Sequence, residues 1–112
     1  MTEVHVLDQL FATVEQRRQD FEANVGNKAS RTHRLFKAGV SKISQKVGEE
    51  AVETIIEAMR GDKKLLIEES ADLLFHLNVL WSASGVNAQE VWDELDRRQR
   101  LSEAEERASR KS

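Results

Sequence analysis

Residues 41–85 read SKISQKVGEEAVETIIEAMRGDKKLLIEESADLLFHLNVLWSASG, and their pattern decides the architecture. Apolar residues recur at helical spacing on both sides of Arg60-Gly61-Asp62. Gly61 suits the position just past a helix C-terminus, and Asp62 can cap the helix that follows. Ser41 is expected to cap the first helix, which runs to Met59. The second is expected from Lys63 to about Ser84, ending near Gly85. A turn this tight makes the two antiparallel, a helical hairpin.

On a wheel of about 100° per residue, Lys42, Lys46, Glu49, Glu50, Glu53 and Glu57 share one sector of the first arm. Ile43, Val47, Ala51, Val52, Ile55, Ile56 and Met59 fill nearly all the rest. A surface helix usually has a broad polar face and a narrower apolar stripe; this one is the reverse. On the second arm Glu69 and Asp72 are three apart and so share a face, together with Leu65, Leu73, Val79 and Leu80. Ile67, Leu74 and Trp81 lie opposite. Two carboxylates thus sit within an apolar surface. Burying unpaired carboxylates is costly against a domain stability of roughly 5–15 kcal/mol, so a cation should offset them.

Working outward, Val4 to about Phe21 carries Val6, Leu7, Leu10, Phe11 and Val14 at helical spacing, and Ala23 to Asn27 reads as a loop. Ser30 can cap a short helix, Arg31 to Lys37, that stops at Gly39. Asn87 caps a fifth helix, Ala88 to roughly Arg107. The polar residues after it are expected to fray. The domain reading is one all-α domain over residues 1–107 with a frayed tail at 108–112, and there is no internal repeat.

Composition agrees. The chain has 112 residues, no Pro and five Gly, which favours long helices in one domain over turn-rich β structure. The absence of Cys excludes a disulfide framework, a thiolate nucleophile and a Cys-based zinc site. A net charge of −3 argues against nucleic acid as partner. No apolar run approaches a membrane span and no signal peptide is expected, so a cytoplasmic protein is the default.

Glu50 with Glu53, and Glu69 with Asp72, should face each other across the hairpin. Oxygen donors without His or Cys suit a hard divalent cation, and Mg2+ commonly shares its shell with substrate phosphates. Glu49, beside the first pair, could be an extra ligand or the base, which puts the catalytic assignment on Glu49, Glu50 and Glu53. Lys46, one turn before Glu50, could reach a phosphate as a point charge, and Lys42 precedes it by a turn. His76 follows Asp72 by a turn and could bond it or touch substrate. Arg31, Arg34 and Lys37 form a basic cluster able to clamp phosphate. Bland readings stand beside these: an acidic run is more often a solvated face, Lys–Glu pairs often serve only the helix, and Phe75, Trp81 and Trp92 read as packing.

The stretches Lys46-VGEEAV-Glu53 and Glu68-ESADLLFH-Leu77 resemble the phosphoribosyl-ATP pyrophosphohydrolases of histidine biosynthesis, within the all-α NTP pyrophosphatase (MazG-like) superfamily. The superfamily pattern, E-x-x-E then E-x-x-D, falls on Glu50, Glu53, Glu69 and Asp72. S-x-T-x-x-L-x-x-x-G falls on Ser30, Thr32, Leu35 and Gly39, and the resemblance spans roughly Ser30 to Arg98. Arg31 departs from the aromatic residue usual there, and Gln45 from a common Lys.

The resemblance implies hydrolysis of phosphoribosyl-ATP to phosphoribosyl-AMP and pyrophosphate. It implies Mg2+, with Mn2+ as the alternative, held by Glu50, Glu53, Glu69 and Asp72. Substrate contacts then fall on Ser30, Thr32, Arg34, Lys42, Lys46 and His76. It also implies an antiparallel bundle of about five helices completed by dimerisation, a homodimer or higher homo-oligomer. Two other readings are a house-cleaning pyrophosphatase acting on ordinary or damaged NTPs and a non-catalytic helical oligomer or adaptor.

Overall fold

The computed structural model describes residues 5–111, the Lys111 side chain excepted. Six helices follow in order: α1 (Val6–Glu22), α2 (Arg31–Ala38), α3 (Val40–Arg60), α4 (Lys63–Ala83), α5 (Ala88–Gln99) and α6 (Glu103–Lys111). No strand occurs among the described residues, so the all-α expectation holds. Val4, where the first helix was expected to begin, lies outside the described residues.

The α3–α4 hairpin is the frame. Each arm has 21 residues, about 30 Å of helix at 1.5 Å per residue. Gly61 ends α3 in the left-handed region at φ 75°, where a side chain would be strained. The Asp62 carboxylate then accepts from the Leu65 N–H at 3.0 Å and starts α4.

The core gathers at the open end of the hairpin. Ile43 near the start of α3 and Val79 near the end of α4 are fully buried with Val14 of α1; Leu35 and Phe36 of α2 complete the cluster. The Ser30 hydroxyl caps α2 by accepting from the His33 N–H at 3.1 Å, and Phe21 stacks on Phe36. Toward the turn the hairpin is bare: Val52, Ile55, Ile56, Met59 and Ile67 are exposed.

Two expected boundaries are corrected. Ser41 does not cap α3. Gly39 does, at φ 92° and ψ 172°, backbone open mainly to glycine. Its carbonyl accepts from the Ile43 N–H at 3.0 Å, which leaves Ser41 inside the first turn.

The fifth helix, expected to reach Arg107, ends at Gln99, and a sixth begins at Glu103, so the described residues form six helices where about five were expected. Ser102 makes the break: its hydroxyl accepts from the Glu105 N–H at 3.2 Å and donates to the Glu105 carboxylate at 2.8 Å. This S-x-x-E arrangement is a helix start. Residues 108–111, expected to fray, continue α6. Trp92 ties α5 back by an edge contact with Trp81, ring centres 5.7 Å apart, and by donating to Asp8 Oδ1 at 3.0 Å.

Candidate active site

Antiparallel arms set the second half of α3 beside the first half of α4, so carboxylates a turn apart on each arm come together. One oxygen from each of Glu50, Glu69 and Asp72 lies within 4.8 Å of the others. Glu53, one turn further along α3, sets its carboxylate against that of Glu69. A proton on Glu69 lets it donate a hydrogen bond to Glu53 and to Glu50, and these contacts, ahead of burial and like-charge repulsion, push its carboxyl up to about 7. Glu50 Oε2 and Glu69 Oε2 are closed to solvent without a hydrogen-bond partner. With Glu69 ionised, these two unpartnered oxygens in an all-oxygen donor set suit a hard cation, so the residues fit a divalent metal ion.

Glu49 is not one of the three. It is exposed, and its Oε1 accepts from Gln45 Nε2 at 3.0 Å. Glu57, read from the sequence as the end of the acidic stripe, is buried and lies 3.4 Å from Arg60.

Beside the carboxylates opens a cleft of about 320 Å³ lined by Arg31, Arg34, Leu35, Ala38, Lys42, Lys46, Glu50 and His76. Its cations come from two elements: Arg31 and Arg34 are neighbours on α2 at i,i+3, and Lys42 and Lys46 on α3 at i,i+4. Glu50 belongs both to this wall and to the carboxylate cluster, so an anion in the cleft would lie next to the cluster. Of the residues assigned to substrate from the sequence, Arg34, Lys42, Lys46 and His76 line the cleft. Ser30 and Thr32 do not; the Ser30 hydroxyl is engaged in capping α2.

His76 is 2% exposed and bonds the backbone of Asp72 rather than its carboxylate: Nδ1 lies 2.8 Å from the Asp72 carbonyl oxygen. Arg31 was read from the sequence as part of the basic cluster but not assigned to substrate, and it has the most contacts of the cleft cations. Its Nη2 is 3.2 Å from His76 Nε2 and 3.6 Å from Asp72 Oδ1, and its guanidinium lies over the Phe75 ring, 4.6 Å from the centre. The signal present in the sequence was the i,i+3 pair with Arg34. Its meeting with α4 is set by packing alone.

A larger cavity, about 460 Å³, lies among Phe11, Glu15, Arg18, Phe21, Phe36 and Ser82. Its charges are already matched. Arg18 pairs with Glu15 at 2.6 Å and Glu22 at 2.8 Å, and the Ser82 hydroxyl donates to Glu15 at 2.6 Å. Arg18 and Ser82 hold the Glu15 carboxyl below its usual range against the opposing effect of burial. The smaller cleft, which sets cations against clustered carboxylates, is the candidate site in spite of its size.

The sequence model of the family described as phosphoribosyl-ATP pyrophosphohydrolase matches residues 7–99. A phosphoribosyl-ATP pyrophosphatase of Azospirillum brasilense is 50% identical over 107 residues, covering 96% of this chain and 92% of the relative. One of Granulibacter bethesdensis is 51% identical over 107 residues, covering 96% and 64%. One of Azorhizobium caulinodans is 55% identical over 82 residues, covering 73% and 75%. All three names describe a hydrolase.

Proposed function

The chain belongs to the phosphoribosyl-ATP pyrophosphohydrolase family, and from that premise we propose that it hydrolyses phosphoribosyl-ATP to phosphoribosyl-AMP and pyrophosphate, the second step of histidine biosynthesis, in the cytoplasm. Mg2+ is the cofactor, with Mn2+ able to replace it. The observation that carries this reading is the close set of Glu50, Glu69 and Asp72 oxygens against a cleft walled by cations.

In this reading Glu50 and Glu53 of α3 and Glu69 and Asp72 of α4 hold the cation. When bound, it supplies charge neutralisation on the phosphate oxygens and a water of lowered pKa. The remaining work falls to the chain. Lys42, Lys46 and Arg34 draw in the phosphates and orient them, the lysines as point charges and the arginine as a planar fork. His76 closes the inner wall of the cleft. Glu49, exposed and steadied by Gln45, accepts the proton of the attacking water. Ser30 acts one step removed, by capping α2 and so holding the cleft arginines.

A homodimer or higher homo-oligomer is part of the proposal, with residues 1–107 as the catalytic domain. Exposed Val52, Ile55, Ile56, Met59, Ile67 and Leu74 lie on the two hairpin arms, and exposed apolar groups in such number mark an interaction surface. The radius of gyration is 16.3 Å, against about 13 Å for a compact chain of about 100 residues. A protomer this open is consistent with completion by a second copy.

The test is pyrophosphate release from phosphoribosyl-ATP, with and without Mg2+, beside a panel of ordinary NTPs. Fast Mg2+-dependent release from phosphoribosyl-ATP alone is expected. Release mainly from the panel would move the chain to a house-cleaning role, and silence on every substrate would leave a non-catalytic oligomer.

A further inference from the structure

Arg31 stands between a carboxylate and a cleft walled mainly by cations. On one side is Asp72, whose Oδ1 lies 3.6 Å from Nη2, with both side chains about half exposed at 52% and 42%. On the other is the cleft, which Arg31 lines together with Arg34, Lys42 and Lys46.

Its hold on His76 is directional. The Asp72 carbonyl can only accept, so the His76 nitrogen facing it at 2.8 Å, Nδ1, carries the proton. Nε2 therefore presents a lone pair to the guanidinium, which can only donate, at 3.2 Å. The Phe75 ring supports the guanidinium from below. The side chain is thus anchored by neutral groups, and among the described residues its charge is matched only by the longer contact to Asp72.

Resting on the metal-centre reading above, we propose that Arg31 is an exchanging clamp: it neutralises Asp72 until a divalent cation binds there, and is then redirected to a phosphate oxygen of the nucleotide in the cleft. Two cations on one carboxylate repel each other, and the cleft is the nearest place for an anion to receive the guanidinium. Arg31 therefore opposes cation binding when no nucleotide is present and favours nucleotide binding once the cation is in place. Each ligand thereby strengthens the other through one side chain.

The experiment compares wild type, Arg31→Ala and Arg31→Lys for Mn2+ binding without nucleotide, by calorimetry or electron spin resonance, and for KM toward phosphoribosyl-ATP. The alanine variant is expected to bind Mn2+ roughly two- to fivefold more tightly, the scale of a half-exposed ion pair removed. Its KM is expected to rise roughly tenfold, the scale of a lost charge-assisted hydrogen bond. A merely structural role would move neither quantity in this opposed way. The lysine variant, which keeps the charge without the fork, should fall between in both and carries the test if the alanine variant folds poorly. Mn2+ affinity unchanged or weakened in the variants overturns the exchange, and an unchanged KM overturns the clamp. Absence of Mn2+ binding in the wild type and in both variants would instead overturn the metal-centre reading, and this proposal with it.

Discussion

Glu53 and Glu69 bring their carboxylates together across the two arms of the α3–α4 hairpin, and the contact keeps a proton on Glu69 up to about 7. A carboxyl raised above its ordinary value of 4.5 makes the folded chain bind more protons than the unfolded chain between those two values. The Glu69 contribution to stability should therefore be fully present below pH 4.5 and be lost as pH rises through about 7. Glu94, lowered to about 2 by Arg97 and then Arg98, acts below this window, where its contribution is lost as pH falls. Thermal melts without divalent ions should show the decline in the wild type and a flatter profile in Glu69→Gln. Parallel profiles would refute the like-charge contact.

Adding Mg2+ or Mn2+ should raise the melting temperature. A ligand at a hundred times its Kd adds about 2.7 kcal/mol, on the order of 10 °C for a domain of this size. Glu50→Gln and Asp72→Asn should abolish the rise; without metal, Glu50→Gln should leave the melting temperature unchanged or higher because it removes a like charge beside Glu69, whereas Asp72→Asn gives up the half-exposed Arg31 pair and should lower stability by about 1 kcal/mol at most. Asp72→Asn should also lower kcat by about a hundredfold or more, the scale of several kcal/mol of lost charge stabilisation. Near-normal turnover in that variant would remove Asp72 from the metal site.

Ser30 and Lys46 should separate structure from binding. Ser30→Ala removes the α2 cap and should cost about 1 kcal/mol, seen as a lower melting temperature with kcat little changed. Lys46→Ala should leave the melting temperature nearly unchanged and raise KM several-fold, more so at low salt. Loss of turnover in Ser30→Ala at full stability would show that the serine touches substrate after all.

Ile55 is 61% exposed and Met59 83%. If a second copy covers them, Ile55→Glu should place a charge in an apolar interface and shift the sedimenting species from dimer or larger to monomer. A wild type already monomeric at micromolar concentration would refute the oligomer.

The hairpin, its turn and the caps at Ser30, Asp62 and Asn87 were legible because each is fixed by neighbours in the chain. Helical period, an αL glycine and a side-chain oxygen near free N–H groups need no tertiary information. The same is true of the Ser102–Glu105 start of α6, which was written in the sequence but masked by the unbroken helical composition around it. At Gly39 the two signals competed: Ser41 is the better cap by type, yet the glycine's backbone at φ 92° begins the helix earlier. The gathering of Glu50, Glu69 and Asp72 could be anticipated because one tight turn relates the arms. The Arg31 contacts with His76, Asp72 and Phe75 could not, because they depend on how α2 leans on α4.

The caps at Gly61 and Asp62 also fix where each arm begins counting. Between Asp62 and Glu69 the helix advances by about 100° per residue, so one residue inserted there would swing Glu69 and Asp72 just over a quarter turn from Glu50 and Glu53. Side chains along this stretch can be exchanged at modest cost, but its length cannot. The interval from Glu53 to Glu69 thus carries information of its own, a spacing that an insertion or deletion would destroy even where a substitution would not.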